Sequence, residues 1–165
     1  MNIRFIKSTL FRLLTCLAAI CGFSELALAQ DGAFALSFNA ANSNLVSVPH
    51  NFILNEPPFT VTAWIKTSQA TNEAGLLNKY VVGSLNGWQV FLYNGEVRAW
   101  FFGDASHYIW DGGRGLNGGP VTNNAWTHIA FTVDPSGGKL YVNGGLKDSM
   151  LWTGVQTGSF SGRPL

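Results

Sequence analysis

Between Trp126 and Gly144 two runs rich in β-branched and aromatic residues, Trp-Thr-His-Ile-Ala-Phe-Thr-Val-Asp and Lys-Leu-Tyr-Val-Asn-Gly, flank the tetrapeptide Pro-Ser-Gly-Gly. Strand formers on both sides of turn formers predict a β-hairpin. With Asp134 set opposite Lys139, Val133 meets Leu140, Phe131 meets Val142, and Ile129 extends the same face. That face is wholly apolar, whereas His128, Ala130, Thr132, Tyr141 and Asn143 occupy the other. The hairpin therefore predicts a half-buried antiparallel sheet packed on a second layer.

The same alternation recurs along the chain. Phe34, Leu36 and Phe38 alternate with Ala35 and Ser37 in a first strand, Asn39 to Asn44 is a turn cluster, and Leu45 to Val48 is a second strand ended by Pro49. Phe52, Ile53 and Leu54 suit a single helical turn over one end of the core. Phe59, Val61, Ala63 and Ile65 alternate with Thr60, Thr62, Trp64 and Lys66 in a clear strand, followed by a polar loop and a weaker strand over Leu76 to Val82. Asn94-Gly95 is the strongest two-residue hairpin signal, and it sets the register of Trp88 to Phe102 by counting. Leu92/Val97, Val90/Ala99 and Trp88/Phe101 then pair on a core face, and Tyr93/Glu96, Phe91/Arg98 and Gln89/Trp100 on the other. Gly103 to Asn124 reads as a long irregular loop carrying Asp104, His107, Tyr108, Trp110, Asp111 and Arg114, a length that in compact domains usually marks function. Leu146 to Trp152 predicts a last strand, and no apolar pattern of helical period is long enough for a substantial helix.

Residues 1–29 stand apart from this pattern. Arg4, Lys7 and Arg12 precede an apolar run from Leu13 to Phe23 that ends near Ala27-Leu28-Ala29, the form of a cleaved secretory signal peptide. The run is too short to span a membrane, so an exported chain is expected from Gln30 onward, secreted, periplasmic or at the cell surface, with no membrane insertion after signal removal. Cys16 and Cys21 both lie in the signal, preceded by Thr15 and Ile20 where a lipoprotein signal requires a small residue, so neither a lipid anchor nor a disulfide is expected. Removing the signal takes Arg4, Lys7, Arg12 and Glu25 from ten basic and nine acidic residues, leaving a net charge of minus one. Such a balance argues against nucleic acid or an anionic membrane as partner.

Five motifs, Ala35-Leu36-Ser37-Phe38, Val46-Ser47-Val48-Pro49, Phe59 to Lys66, Trp126-Thr127-His128-Ile129-Ala130 and Leu140-Tyr141-Val142-Asn143-Gly144, occur in the order and spacing of laminin-G-like jelly rolls. Over Ala33 to Leu165 the chain resembles that branch of the concanavalin A-like lectin/glucanase superfamily. The resemblance implies an all-β, antiparallel jelly-roll β-sandwich over 30–165. It also implies closing strands beyond Leu165, so that the domain reads as truncated at its C-terminus. Calcium is a ligand of some relatives, whose first turn carries aspartates. Here that turn offers only Asn39, Asn42 and Asn44, whose amide oxygens make weaker ligands, and Asp104 with Asp111 is the other candidate set.

Glucanases of the superfamily carry closely spaced carboxylates on one strand, and this chain has no Glu-x-Asp-x-Glu; Asp104 and Asp111 lie seven apart in a loop. Neither His-x-His nor Gly-x-Ser-x-Gly occurs, so a non-catalytic module is expected. His128 reads as a packed, hydrogen-bonded residue, and Trp64 and Trp126 as structural residues where strands enter the sandwich. The face shared by Gln89, Tyr93, Arg98 and Trp100 is different in kind, because it mixes flat aromatic surface with planar hydrogen-bonding groups. Sugars need both, their C–H faces stacking on rings while their hydroxyls pair with Arg, Gln or Asp. Trp110 and Asp104 are positioned in the loop to close over it; the competing expectation is that the loop covers the face and its rings are ordinary packing. The sequence thus points to a binding or adhesion module for glycans. The alternatives are a protein-interaction or structural module of an extracellular or cell-surface assembly, and an accessory fragment of a glycan-processing enzyme.

Overall fold

The computed structural model describes residues 35–39, 42, 44–68, 73–162 and 164–165. The signal peptide, Phe34 and Arg163 lie outside the described residues. The chain divides into two units, Met1–Asn44 and Leu45–Leu165. In the first, Asn42 N–H donates to the Asn39 carbonyl at 3.0 Å and Asn39 N–H to Asn44 Oδ1 at 3.2 Å, closing the expected turn. Residues 35–39 form no strand, and Leu36 and Phe38 are 72% and 58% exposed. An alternating pattern becomes a strand only where a neighbour takes up its backbone groups.

The second unit is a two-layer sandwich of nine strands. β1 (Phe59–Ile65), β7 (Thr127–Asp134), β8 (Gly137–Val142) and β9 (Gly145–Met150) form one antiparallel sheet in the order β1-β7-β8-β9. The other runs β2 (Ala74–Asn78), β3 (Gly87–Tyr93), β4 (Glu96–Phe102), with β5 (Tyr108–Ile109) and β6 (Leu116–Pro120) both paired to β4. No barrel closes, and the described residues contain no α-helix; a 3-10 turn spans Phe52–Asn55. That turn exposes Phe52 and Ile53 and buries Asn55 instead, whose Nδ2 donates to the Ser161 carbonyl at 2.9 Å. Leu45 to Val48 makes only the start of a ladder, Val48 exchanging two hydrogen bonds with Leu165 at 2.7 and 3.1 Å.

The core lies between the sheets, where alternation delivers it. Trp88, Val90, Leu92, Val97, Ala99 and Phe101 face Ile129, Phe131, Val133, Leu140 and Val142, and all are buried. Phe59 joins the layers, its ring 5.4 Å from Trp88, 5.9 Å from Phe101 and 6.2 Å from Phe131. Trp88 Nε1 donates to the Leu54 carbonyl at 2.7 Å, so the one polar group of the largest core side chain is satisfied.

The β7–β8 register corrects the expected one by two residues. Asp134 faces Gly137, Val133 faces Gly138 and Phe131 faces Leu140, with only Pro135 and Ser136 turning the chain. The Asp134 carboxylate accepts from Ser136 N–H at 2.7 Å and so tightens the turn locally. Gly137 and Gly138 are strand residues held at close quarters. A Cβ at Gly137 would meet the Met150 carbonyl at 2.0 Å, and one at Gly138 would meet Ile109 Cγ2 at 2.8 Å. Because the shift is even, every side chain keeps its predicted face.

Candidate functional site

The β3–β4 hairpin supplies the floor of the site. Asn94 and Gly95 take φ of 50° and 78°, the two positive values that this two-residue turn demands. The register is the predicted one throughout: Tyr93 faces Glu96, Phe91 faces Arg98, and Gln89 faces Trp100. Phe102 continues the outer face beyond Trp100, and its ring lies 5.5 Å from Trp100 at 69°.

The segment expected to be an irregular loop is folded over this floor. β6 pairs with β4 through Glu96↔Pro120, Val97↔Gly119, Arg98↔Asn117 and Ala99↔Leu116. Gly118 lets it do so, since a Cβ there would lie 3.0 to 3.1 Å from Val142, Leu140 and Val97. Between β5 and β6, Asp111 Oδ1 accepts from the amides of Gly113 at 2.8 Å and Gly115 at 2.7 Å, and Trp110 Nε1 donates to the Gly113 carbonyl at 3.1 Å. Partial burial pushes the Asp111 carboxyl up, but the Gly115 and Gly113 amides and the nearby Arg98 outweigh it and hold the group below its usual range. At Gly115 the chain passes so close to β4 that a Cβ would meet the Ala99 carbonyl at 2.4 Å and Trp100 Cβ at 2.9 Å.

The outcome is a small open cleft of about 190 Å³ on the outer face of the five-stranded sheet. Tyr80, Trp100, Phe102 and Trp110 provide its aromatic walls, and Glu73 and Arg114 its charged rim. Tyr80 stands edge-on to Trp100, centroids 4.3 Å apart at 82°, and Trp110 sits 5.4 Å from Phe102 at 53°. Arg114 Nη1 reaches Glu73 Oε2 at 3.2 Å while its guanidinium lies 4.0 Å above the Tyr93 ring. Beneath the loop Arg98 is ion-paired with Glu96.

Of the residues singled out from sequence, Trp100 and Trp110 line the cleft together. Tyr93 is the platform under Arg114, and Arg98 is a largely covered cation, 17% exposed and paired with Glu96. Gln89 lies on the same face but nearer β2, opposite Asn78, and does not line the cleft. Asp104 is not brought to it either. Its carboxylate accepts from the amides of Ser106 at 2.7 Å and His107 at 3.0 Å and meets His107 Nδ1 at 2.9 Å, and the hydrogen bond with His107 leads in lowering its pKa. Sequence reasoning missed Phe102, although it continues the alternation of Arg98 and Trp100. Tyr80 escapes it because the pattern predicts a weak strand through Leu76 to Val82, whereas β2 ends at Asn78, whose side chain accepts from Tyr80 N–H at 2.7 Å.

Trp64 near the end of β1 and Trp126 just before β7, expected as structural residues where strands enter the sandwich, are 64% and 52% exposed, so neither ring is buried there. Trp64 points outward beside His128, ring centroids 5.2 Å apart, because the inward positions of β1 are Val61, Ala63 and Ile65. His128 is hydrogen-bonded through its backbone, its N–H donating to Asn143 Oδ1 at 2.9 Å and its carbonyl accepting from Asn143 N–H at 2.8 Å.

Asn44 Oδ1 is taken by Asn39, the carboxylates of Asp104 and Asp111 serve separate turns, and among the described residues no three His, Cys, Asp or Glu side chains could hold a metal ion. No helix among the described residues is long and apolar enough to cross a membrane. No curated protein matches the chain in sequence. The two antiparallel sheets, the inward alternation and a match of residues 38–162 to the laminin-G family model together place the chain: it belongs to the concanavalin A-like lectin/glucanases superfamily.

Proposed function

We propose that this domain is an exported, non-catalytic binding or adhesion module whose ligand is a glycan, held in the cleft on the outer face of the five-stranded sheet. The observation that carries this reading is the joining, in one open cleft, of Trp100, Trp110 and Tyr80 with the Glu73–Arg114 pair. Indole and phenol faces offer flat apolar surface to sugar C–H groups, and a guanidinium beside a carboxylate offers donors and acceptors to vicinal hydroxyls. The family membership supports a binding module in general terms. Fold alone does not fix a ligand, so the reading rests on the cleft.

The test is a glycan array probed with the folded protein beside its Trp100→Ala variant. Specific signal that Trp100→Ala abolishes supports the reading. A blank array from a protein with a cooperative unfolding transition refutes it and turns attention to the second reading, a protein-interaction module. What favours that second reading is the exposure of Trp64 and Trp126 on the other sheet, since exposed tryptophans suit a partner surface.

A further inference from the structure

We infer that the cleft selects electrically neutral sugar residues and discriminates against uronic, sialylated or sulfated ones, with Glu73 as the residue that sets this preference. The inference rests on the glycan reading and deepens it. Recognition of an acidic sugar is strongest where a cation is free to pair with it, since charge-assisted hydrogen bonds are roughly twice as strong as neutral ones. Among the described residues the only charged side chains lining the cleft are Arg114 and Glu73, and they are paired with each other. Behind them Arg98 is paired with Glu96, and the Asp111 carboxylate, held ionised by two amides, lies close enough to Arg98 to feel its charge. Among the described residues these groups set two cations against three carboxylates. Arg98 Nε has no hydrogen-bond partner among the described residues, yet it is buried and offers an incoming anion no accessible contact.

A neutral sugar meets none of this opposition. Hydroxyls can donate to Glu73 and accept from the remaining N–H groups of Arg114, whose plane is already fixed by Tyr93 at 4.0 Å. An anionic group could accept from those same N–H groups, but it would have to sit beside the Glu73 carboxylate, which already neutralises the guanidinium from 3.2 Å. The Glu73–Arg114 pair is about half exposed on both sides, so breaking it is cheap in itself. The discrimination comes from the carboxylate that stays, which makes Glu73 rather than the arginines the specificity residue.

The experiment is titration calorimetry of the folded protein and its Glu73→Gln variant with two sets of probes at low and moderate salt. One set is neutral gluco-, manno- and galacto-oligosaccharides; the other is oligogalacturonates and heparin-derived oligosaccharides. We expect the best neutral probe to bind the unsubstituted protein at least about tenfold more tightly than the best acidic one. Glu73→Gln leaves Arg114 uncompensated, so the ratio should shift toward the acidic probes by a similar factor, and the shift should shrink as salt rises. Acidic probes binding the unsubstituted protein as well as neutral ones overturns the inference while leaving the glycan reading intact. An unchanged ratio in Glu73→Gln overturns the role of Glu73. Binding of neither set overturns the glycan reading itself.

Discussion

Gly115 and Gly112 lie three residues apart in the loop that walls the cleft, and they permit a prediction with an internal control. Both take positive φ, +71° and +81°, so an alanine at either position meets the left-handed backbone penalty of roughly 1–2 kcal/mol. Only Gly115 is crowded. Its added Cβ would fall 2.4 Å from the Ala99 carbonyl oxygen and 2.9 Å from Trp100 Cβ, while nothing lies within 4 Å of the position at Gly112. The obstructing atoms belong to the central strand β4 and cannot swing aside, so the loop itself must lift. Overpacking of this kind costs a further 1–3 kcal/mol, approximately. Gly112→Ala is therefore expected to lose about 1–2 kcal/mol and Gly115→Ala about 2–5 kcal/mol. Urea unfolding at neutral pH, followed by tryptophan fluorescence and near-ultraviolet circular dichroism, measures both. In addition, Gly115→Ala should weaken glycan binding because Arg114 and Trp110 move with the loop, whereas Gly112→Ala should not. Equal unfolding midpoints for the two variants would refute the claim that the loop is pinned by its close approach to Ala99 and Trp100.

Trp88→Phe should cost about 2–4 kcal/mol, since it opens a cavity in the core and leaves the Leu54 carbonyl without the donor now 2.7 Å away; a loss under about 1 kcal/mol in urea would contradict this. The Asp134 carboxyl is lowered to about 2 by hydrogen bonds from Lys139 and Ser136, and the same contact raises Lys139. A depressed carboxyl contributes stability that is complete above its unfolded value near ~3.9 and disappears as pH falls through the folded one. Urea midpoints should thus decline between about pH 4 and 2 less steeply in Asp134→Asn than in the unsubstituted protein, and identical slopes would count against the contact. Trp64→Ala should leave glycan binding unchanged in calorimetry, as Trp64 lies on the other sheet.

How much of this could be read from the sequence depended on where conformation is fixed locally. Asn94-Gly95 permits a single two-residue turn, so the β3–β4 register, and with it the meeting of Tyr93, Arg98 and Trp100 on one face, was legible residue by residue. At Pro-Ser-Gly-Gly the two glycines have the composition of turn residues, but both are strand residues required by neighbours distant in sequence, Met150 and Ile109. The count slipped by two and the faces survived. β6 was invisible for the same reason, because Leu-Asn-Gly-Gly-Pro has no alternation of its own and owes its place to the side chains of Val97, Leu140 and Val142 that fill the room above Gly118. Tyr80, Glu73 and Arg114 come to the cleft from separate connections, and only the tertiary fold could bring them together. In the opposite sense, residues 35–39 show the alternation of a strand and form none.

The most direct test of the account uses the indole N–H signals of the six tryptophans in a nitrogen–proton correlation spectrum, recorded as a neutral oligosaccharide is added. If the cleft holds the sugar, the Trp100 and Trp110 signals move along saturating curves with one common affinity, while Trp88 and Trp152, in or against the core, and Trp64 and Trp126 stay in place. Movement of Trp64 and Trp126 with Trp100 and Trp110 fixed would contradict it, and would put the binding surface on the opposite sheet.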